Sequence, residues 1–324
     1  MCDIAVYNNY SDLEILCMKT RDSIGGLHFN QFISSRLARL EKILENYLST
    51  LSKTGPKDLR KAMEYSVLAG GKRLRSLLVY ALGKFHGVRI NQLDSIAASL
   101  ELVHSFSLIH DDLPAMDDDD FRRGKPSLHK AFDESTAILA GDALLAMAFQ
   151  ILGEARTIDS TQRIMMINIL AEALGPRGMV GGQYLDLHFP IPTEKSSKIF
   201  LYRIYLLKTG MLFGAALKMG AIVSNIGNGR QMRLFEQLGH LLGIWFQIKD
   251  DILNIIGDPK TLGKNVGTDM KKNKNTYPLL EGTDKAIQEQ LSLQNKTQNL
   301  IRKLGLQKSL FSLLIDSIFV RIDC

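Results

Sequence analysis

Aspartates are concentrated in one short stretch of the chain, HDDLPAMDDDDFRRGK, at residues 110–125. Six of them fall within ten positions, and Arg122 and Arg123 follow directly. Carboxylates this close repel one another unless solvent or bound cations screen their charge. Magnesium ions bind oxygen ligands, commonly one or two carboxylates together with phosphate oxygens. The stretch therefore indicates either a solvated acidic loop or a magnesium site for an anionic ligand.

The spacing of Asp111 and Asp117 decides whether the two carboxylates can act together. Six positions apart on a continuous helix, they would point about 120° away from each other. Pro114 disfavours the helical conformation of Leu113 and removes a backbone donor. We expect the helix to end at residues 111–112 and the chain to turn, which brings Asp117 back beside Asp111.

A second acidic motif, FQIKDDILN, follows a strongly apolar helical stretch. Asp250 and Asp251 are costly next to buried residues unless they have partners. Asn254 lies four positions after Asp250, on nearly the same helix face, and offers an oxygen without a charge. The alternative is an exposed acidic pair at a frayed helix end.

Cations surround these motifs in the sequence. In GGKRLRS, two glycines precede Lys72, Arg73 and Arg75 at a predicted helix start, a combination typical of anion sites. Further lysines lie in LLKTG, TLGK and KKNKNTYP, namely Lys208, Lys264 and Lys274. Each lysine alone is more often a solvated surface residue. Together with the aspartates, they predict a cage for two diphosphates, one held through metal and the other held directly.

Helices must position these residues, because amphipathic periodicity of three and four runs through almost the whole chain. We predict helices over residues 29–51, 57–69, 74–86, 91–113, 134–156, 160–175, 194–219, 229–255, 283–303 and 306–322. The stretches 91–113, 134–156 and 229–255 are apolar on most sides, so we expect them at the centre. The prediction is an all-α fold with one large domain over residues 27–324, preceded by a poorly defined extension over residues 1–26.

Composition narrows the possibilities further. The 324 residues are 45% hydrophobic and 23% charged, with a net charge of +6. The three cysteines lie near the chain ends without metal or disulfide spacing, which fits a reduced cytoplasm. We expect no signal peptide and no membrane-spanning segment. The cations alternate with aspartates instead of forming a basic stripe, so we expect no nucleic-acid binding.

These motifs together resemble the trans-polyprenyl diphosphate synthases, most closely the bacterial farnesyl diphosphate synthases. The resemblance spans about residue 28 to Arg321 and rests on GGKRLR, SLIHDDLPAMDDDD, LAGDALL, GGQYLDL, KTG, FQIKDDIL and GDPKTLGKNVGTD in the family's order. It implies packed helices around a deep central pocket, usually in a homodimer. It also implies a magnesium-dependent reaction that joins dimethylallyl or geranyl diphosphate to isopentenyl diphosphate.

The resemblance also implies roles for individual residues. Three magnesium ions would be bound across the allylic diphosphate by Asp111, Asp117 and Asp250, with Asp112 and Asp251 orienting them or holding waters. Contacts to the allylic diphosphate would come from Arg122, Lys208 and Lys264, with Lys274 helping to close the site. Isopentenyl diphosphate would be held by Lys72, Arg75, His104 and Arg123. Oxygen dipoles of Thr209 and Gln247 would face the allylic cation.

Product length is expected to depend on the helix that leads to the first acidic motif. Phe106 lies five residues before Asp111, about 7.5 Å deeper at the helical rise, and Ser107 lies one turn below Asp111. A ring beneath a small residue would act as a floor. In the resembling family an aromatic residue here accompanies fifteen-carbon products, so we expect farnesyl diphosphate.

Three positions depart from the family pattern. Asn254 stands where an aspartate is usual, Ser76 replaces a common proline, and Lys249 precedes Asp250 where glutamine or another residue is usual. Asn254 therefore puts the third metal site in doubt.

Two alternative functions remain for a protein with these motifs. One is a geranylgeranyl or longer-chain synthase. The other is a catalytically weak partner subunit, although such subunits normally lose aspartates of the first motif. A terpene cyclase would lack GGKRLR.

Overall fold

A computed structural model describes residues 24–51, 54–188, 196–226, 228–256 and 276–320. Helices fill most of these ranges: α1 Ile24–Leu51, α2 Lys57–Val67, α3 Leu74–Phe85, α4 Ile90–Asp111, α5 Leu128–Ala131, α6 Glu134–Glu154, α7 Ser160–Leu174, α8 Met179–His188, α9 Ser196–Tyr205, α10 Met211–Val223, α11 Gly229–Ile256, α12 Tyr277–Glu281, α13 Thr283–Lys303 and α14 Leu310–Val320. A π-helix, Leu206–Gly210, joins α9 to α10, and a short antiparallel hairpin pairs β1 Phe121–Arg122 with β2 Lys125–Pro126. The predicted all-α fold is confirmed.

Local signals explain where several helices begin. The Asp133 side chain accepts the Thr136 N–H at 2.8 Å and caps α6, and Asp159 caps α7 through the Thr161 N–H at 2.9 Å. Before α3, Gly70 and Gly71 adopt positive φ angles of 85° and 134°. Two consecutive positions with positive φ angles require glycine, so the two glycines of GGKRLR form the sharp turn that leads into α3.

The centre of the molecule consists of α4, α10 and the middle of α11. Nearly every side chain of α4 from Leu93 to Phe106 is buried, as are most side chains of α10. Helix α4 packs against α3 and α6, and α10 packs against α3, α7 and α11. The carboxyl end of α4 and the π-helix preceding α10 therefore both reach the interior, where their polar residues require partners.

Helix α6 departs from the expected central position. It packs against α4 on one side, but Ile138 and Leu139 are 43% and 57% exposed on the other. By length and composition, Glu134–Glu154 and Lys198–Val223 could each cross a membrane, and their apolar windows are 44% and 72% buried in the protein. Buried core helices meet the same criterion, which makes it weak evidence for a span.

The expected division of the chain at residue 27 remains a prediction. The first described helix, α1, begins at Ile24, and residues 1–23 lie outside the described part of the chain.

Candidate active site

The first acidic motif forms a tight turn at the carboxyl end of α4. The helix ends at Asp111, and the Asp117 N–H donates to the Asp111 carbonyl at 2.8 Å. The Asp118 N–H similarly donates to the Leu113 carbonyl at 3.1 Å. The predicted turn is confirmed, and it places the backbones of Asp111 and Asp117 side by side.

Asp112 points away from Asp111 and forms an ion pair behind the turn. Its carboxylate is buried and accepts hydrogen bonds from Arg122 Nε at 3.0 and 3.1 Å and also from Arg122 Nη2. Arg122 reaches Asp119 as well, at 3.3 Å. In this arrangement Asp112 anchors the hairpin that carries Arg122 to the acidic turn, so its carboxylate is already neutralised by a neighbour.

The π-helix presents Lys208 and Thr209 opposite the acidic turn. Lys208 Nζ donates to Asp186 on α8 at 2.7 Å. A Cβ atom on Gly182 would lie 2.3 Å from the Lys208 backbone nitrogen, and one on Gly243 would lie 2.3 Å from the Gly210 Cα. Two glycines on neighbouring helices therefore allow α8 and α11 to close on both sides of the π-helix. Such an insertion of one extra residue into a helical turn is frequent at functional sites.

The second acidic motif lies on α11 beside the π-helix. Thr209 Oγ1 donates to Gln247 Oε1 at 3.2 Å, and Gln247 Nε2 donates to Asp251 Oδ1 at 3.2 Å. Asp251 and Asn254 are 4% and 5% exposed. Asp250 instead faces the cavity between α4 and α11. The two adjacent aspartates thus have different surroundings.

Cations gather around the start of α3. A Cβ atom on Gly71 would lie 2.9 Å from the Arg123 guanidinium, which shows how closely this side chain approaches the loop. The Arg75 guanidinium stacks over the Phe213 ring with 4.5 Å to its centroid. Arg75 Nε is buried without a hydrogen-bond partner among the described residues. A buried guanidinium N–H that lacks a hydrogen-bond partner is suited to bind an incoming anion.

Glu101 supplies a buried negative charge beneath these cations. It accepts from Arg73 Nη1 at 3.1 Å and from Ser76 Oγ at 2.7 Å. Arg73 is itself buried, has a left-handed φ of 47°, and also binds Glu41 through Nε at 3.0 Å. Glu101 therefore links α3 to α4, Arg73 extends this link to Glu41 on α1, and together they fix the backbone from which Arg75 extends.

One cavity of about 680 Å³ joins the acidic and basic groups. Most of the predicted site residues line it: Lys72, Arg75, His104, Phe106, Ser107, Asp111, Arg122, Arg123, Lys208, Thr209, Gln247 and Asp250. Asp112 lines a smaller cavity behind the turn. Lys264 and Lys274 lie outside the described residues, so their predicted roles remain predictions.

The charged groups shift one another's proton affinities. Burial, assisted by Asp117 and Asp112, raises the pKa of Asp111 to about 6. Burial lowers the pKa of Lys208, but Asp186, Asp111 and Asp117 outweigh it and raise that pKa above its usual value. Asp111 is thus a carboxylate for which a bound cation would be favourable, and Lys208 stays charged at neutral pH.

The basic side of the cavity shows the opposite effects. Burial, followed by the charges of Arg75 and Arg123, lowers the pKa of His104 well below its usual value. Burial also lowers the pKa of Arg75 to about 10. His104 is therefore neutral at pH 7 and can donate a single N–H, whereas Arg75 remains cationic and poorly solvated.

The donor set fits magnesium when a ligand supplies the remaining oxygens. In the part of the chain that the structure describes, no three carboxylate, imidazole or thiol side chains are grouped closely enough to hold a metal ion. Asp111 and Asp250 nevertheless line one cavity that is also lined by lysine and arginine side chains. Magnesium characteristically binds through one or two carboxylates plus substrate phosphates, so this sparse arrangement suits it.

Three site residues have no role in the sequence prediction: Asp186, Gln183 and Glu101. Both amide atoms of Gln183 are buried without partners among the described residues, and the side chain lines the cavity. The motif GGQYLDL contains Gln183 and Asp186, so the signal was present. Gln183 lies three positions before Asp186 in this glycine-rich segment, a spacing that puts both side chains on one face of a helix. That spacing could have indicated that a further helix lines the site.

Phe106 lines the cavity, and its expected role as a floor remains a prediction. It is 8% exposed, lines the cavity, and makes an edge-to-face contact with His110 at 4.8 Å between ring centroids. The His110 ring is held in turn by a 3.1 Å contact between its Nε2 and the Ile138 carbonyl oxygen. The aromatic pair therefore braces the cavity wall toward α6.

Comparisons with known proteins identify the family of this chain. Residues 56–312 match the sequence profile of the polyprenyl synthetase family. The chain belongs to the polyprenyl synthetase family. It is 44% identical over 254 residues to farnesyl diphosphate synthase from Escherichia coli (strain K12), covering 76% of this chain and 83% of that protein.

Solved structures of related polyprenyl synthetases share the fold. A geranyltransferase from Legionella pneumophila superposes with a TM-score of 0.78 at 34% identity, covering 91% of this chain and 97% of that one. A geranyltransferase from Helicobacter pylori, complexed with magnesium and isoprenyl diphosphate, superposes with a TM-score of 0.72 at 30% identity over 87% and 96% of the two chains. The resemblance predicted from the motifs is confirmed.

Proposed function

We propose that this chain is a prenyltransferase that condenses dimethylallyl or geranyl diphosphate with isopentenyl diphosphate and forms farnesyl diphosphate as its main product. The observation that carries the proposal is the single cavity whose lining joins Asp111, Asp250 and Lys208 to Lys72, Arg75, His104 and Arg123. One group suits a diphosphate held through metal, and the other suits a diphosphate held by side chains. The match to farnesyl diphosphate synthase supports the same activity.

Magnesium would be held by Asp111, Asp117 and Asp250, and we propose three ions, as the family resemblance implies. When bound, the metal stabilises negative charge on the departing diphosphate. Asp112 was predicted to take part in the metal site by orienting the ions or holding waters. Its ion pair with Arg122 supports an indirect role, in which it positions that guanidinium near the allylic diphosphate.

The protein's own residues hold both substrates in position. Lys208 and Arg122 bind the allylic diphosphate, with Asp186 orienting the Lys208 ammonium. The allylic C–O bond breaks, its electrons go to the diphosphate, and the oxygens of Thr209 and Gln247 face the resulting cation. Lys72, Arg75, Arg123 and neutral His104 hold isopentenyl diphosphate while its double bond forms the new C–C bond. We assign the lost proton to an oxygen of the released diphosphate.

The direct test is a turnover assay with dimethylallyl and isopentenyl diphosphates, followed by chromatography of the products. We expect geranyl and farnesyl diphosphates with magnesium present, and no products when a chelator removes it. A main product of twenty or more carbons would favour the alternative of a longer-chain synthase. Absence of any product with every allylic diphosphate would favour a catalytically weak partner subunit.

We also propose a cytoplasmic homodimer. The exposed side of α6 carries Ile138 and Leu139, and the neighbouring α7 carries Ile164 and Met165, which are 61% and 45% exposed. Exposed apolar patches commonly mark protein interfaces. The cysteine usage supports a reducing compartment.

A further inference from the structure

Asp251 is the hub of a buried hydrogen-bond network next to the cavity. Its Oδ2 accepts from the Tyr205 hydroxyl, and the Tyr277 N–H is shared between the Tyr205 hydroxyl oxygen at 3.0 Å and Asp251 Oδ2 at 3.3 Å. Its Oδ1 accepts from Gln247 Nε2 at 3.2 Å. The side chain therefore joins α9, α11 and α12, and both of its oxygens have donors assigned to them.

This network determines which way the Gln247 amide faces. An ionised carboxylate can only accept hydrogen bonds, so the amide must turn its NH₂ group toward Asp251. The Gln247 carbonyl oxygen then faces the opposite direction, where Thr209 Oγ1 donates to it at 3.2 Å. Gln247 and Thr209 both line the cavity, whereas Asp251 lies behind them.

We infer that Asp251 is a positioning residue that holds the Gln247 amide with its carbonyl oxygen toward the site of the allylic cation. The inference rests on the proposed function, because it concerns the charge that develops there. A carbonyl oxygen carries partial negative charge and stabilises a nearby cation, whereas the NH₂ group would oppose it. Fixed dipoles of this kind are among the largest contributions to catalysis, because they need no reorganisation during the reaction.

The two adjacent aspartates of the second motif thus receive different roles. Asp250 lines the cavity and was predicted to bind metal, while Asp251 was expected to orient metal ions or hold waters. If Asp251 acted on the metal, its substitution would change the magnesium concentration needed for activity. If it acts on Gln247, the substitution changes the rate at saturating magnesium instead.

Asp251→Asn inverts the amide with almost no change in shape. The Tyr205 hydroxyl oxygen already accepts the Tyr277 N–H at 3.0 Å, so its own proton points to the Oδ2 position, and the new side chain places its carbonyl oxygen there. Its NH₂ group then faces Gln247, which must turn its own oxygen inward and its NH₂ group toward the cavity. We expect kcat to fall by about 100-fold, the size of effect seen when one fixed dipole is lost from a reaction site. The KM values and the magnesium dependence should stay unchanged.

A second substitution should rescue the first. In the double variant Asp251→Asn/Gln247→Glu, the new carboxylate at 247 accepts from the new amide at 251 and again presents an oxygen to Thr209. The double variant should therefore recover most of the lost kcat. Gln247→Glu alone sets two carboxylates against each other and should be no more active than Asp251→Asn. A loss due only to disturbed packing would not be recovered by a second change.

The same four proteins separate this inference from the proposed function. Thermal unfolding should show a lower Tm for each single variant and recovery in the double variant, and this readout needs no turnover. An inactive parent enzyme would overturn the proposed function, while the Tm values would still test the pairing. The inferred role would be overturned if Asp251→Asn left kcat unchanged, if it shifted only the magnesium dependence, or if the double variant did not recover kcat. Absence of Tm recovery in the double variant would overturn the pairing of residues 247 and 251.

Discussion

At the scale of single residues, Asp111 illustrates a functional carboxylate that disfavours folding. Its pKa is raised from 3.8 to about 6, so its ionised form is less favourable in the folded protein than in the unfolded chain. The resulting loss of stability is complete above about pH 6 and disappears below about pH 4, where the group is protonated in both states. Without magnesium, Asp111→Asn should raise Tm by a few degrees at pH 8 and leave it unchanged at pH 4, as measured by calorimetry.

The same substitution should nearly abolish turnover. Loss of a metal ligand removes several kcal/mol of charge stabilisation, and each ~1.4 kcal/mol is tenfold in rate. Asp120→Asn is the matched control, because Asp120 belongs to the same acidic run but forms an exposed ion pair with Lys130 at 3.0 Å. Near-normal magnesium-dependent turnover in Asp111→Asn, or an equal loss in the control, would contradict the metal-site assignment.

Asn254 gives a second prediction at this scale. It is buried and follows Asp250 by one helical turn. Asn254→Asp adds a negative oxygen near the predicted third ion, so we expect a modest fall in the magnesium concentration required for half-maximal rate. Magnesium titration of both proteins at saturating substrate measures this effect. A higher magnesium requirement in the variant would show that Asn254 does not approach the ion.

Residue types and spacing predicted the acidic turn well, since Pro114 and the six-residue separation leave few geometries for Asp111 and Asp117. They did not reveal the ion pair of Asp112 with Arg122, because the hairpin that returns Arg122 has only two residues in each strand. Glu101 was also missed. Its importance arises from its contacts with Arg73 and Ser76, and through Arg73 with Glu41 on α1, which no local pattern shows.

At the scale of elements, the π-helix depends on close approach by its neighbours. Gly182→Ala would put a methyl group 2.3 Å from the Lys208 backbone nitrogen, so α8 and the π-helix must separate. A displacement of about 1 Å at a reacting centre can cost on the order of 100-fold in rate. We therefore expect kcat to fall by roughly that factor, measured by steady-state assay.

Gly153→Ala provides the control for this prediction. Gly153 is also helical, but a Cβ atom there meets nothing within 4 Å. Alanine is favoured over glycine in helices by about 1 kcal/mol, so this variant should be fully active and slightly more stable. Full activity in Gly182→Ala would show that the π-helix tolerates displacement.

Helix prediction succeeded where periodicity was long and failed where glycines interrupted it. The segment MVGGQYLDLH forms α8, although it lay in none of the predicted helices. Gly182 is needed there because the backbone of the π-helix lies against it. The π-helix itself was predicted as part of one continuous helix over residues 194–219, because a single inserted residue leaves the apolar pattern almost unchanged.

At the scale of the whole molecule, the cavity should limit product length. Phe106→Ala removes the ring that we predict to close the cavity below Ser107, and products should shift from fifteen to twenty carbons or more. The variant should also lose stability, on the order of 3–5 kcal/mol if the site does not collapse. Product chromatography with folded protein measures the shift. An unchanged fifteen-carbon product would show that the chain ends against another residue.

The exposed apolar side of α6 yields a prediction about assembly. Leu139→Glu places a charge on the proposed dimer interface, at a side chain that is 57% exposed in the single chain. We expect light scattering to show a shift from dimer to monomer. Leu279→Glu is the control, because Leu279 is 44% exposed on α12, away from α6. A variant at Leu139 that stays dimeric would place the interface elsewhere.

The hydrogen bond between Ser76 and Glu101 makes position 76 sensitive to substitution by proline. The Ser76 hydroxyl donates to a carboxylate that is only 2% exposed. Proline at this position would withdraw that donor, and an unpaired buried acceptor costs about 1–3 kcal/mol. Proline is therefore tolerated at position 76 only if Glu101 or its other partners change with it.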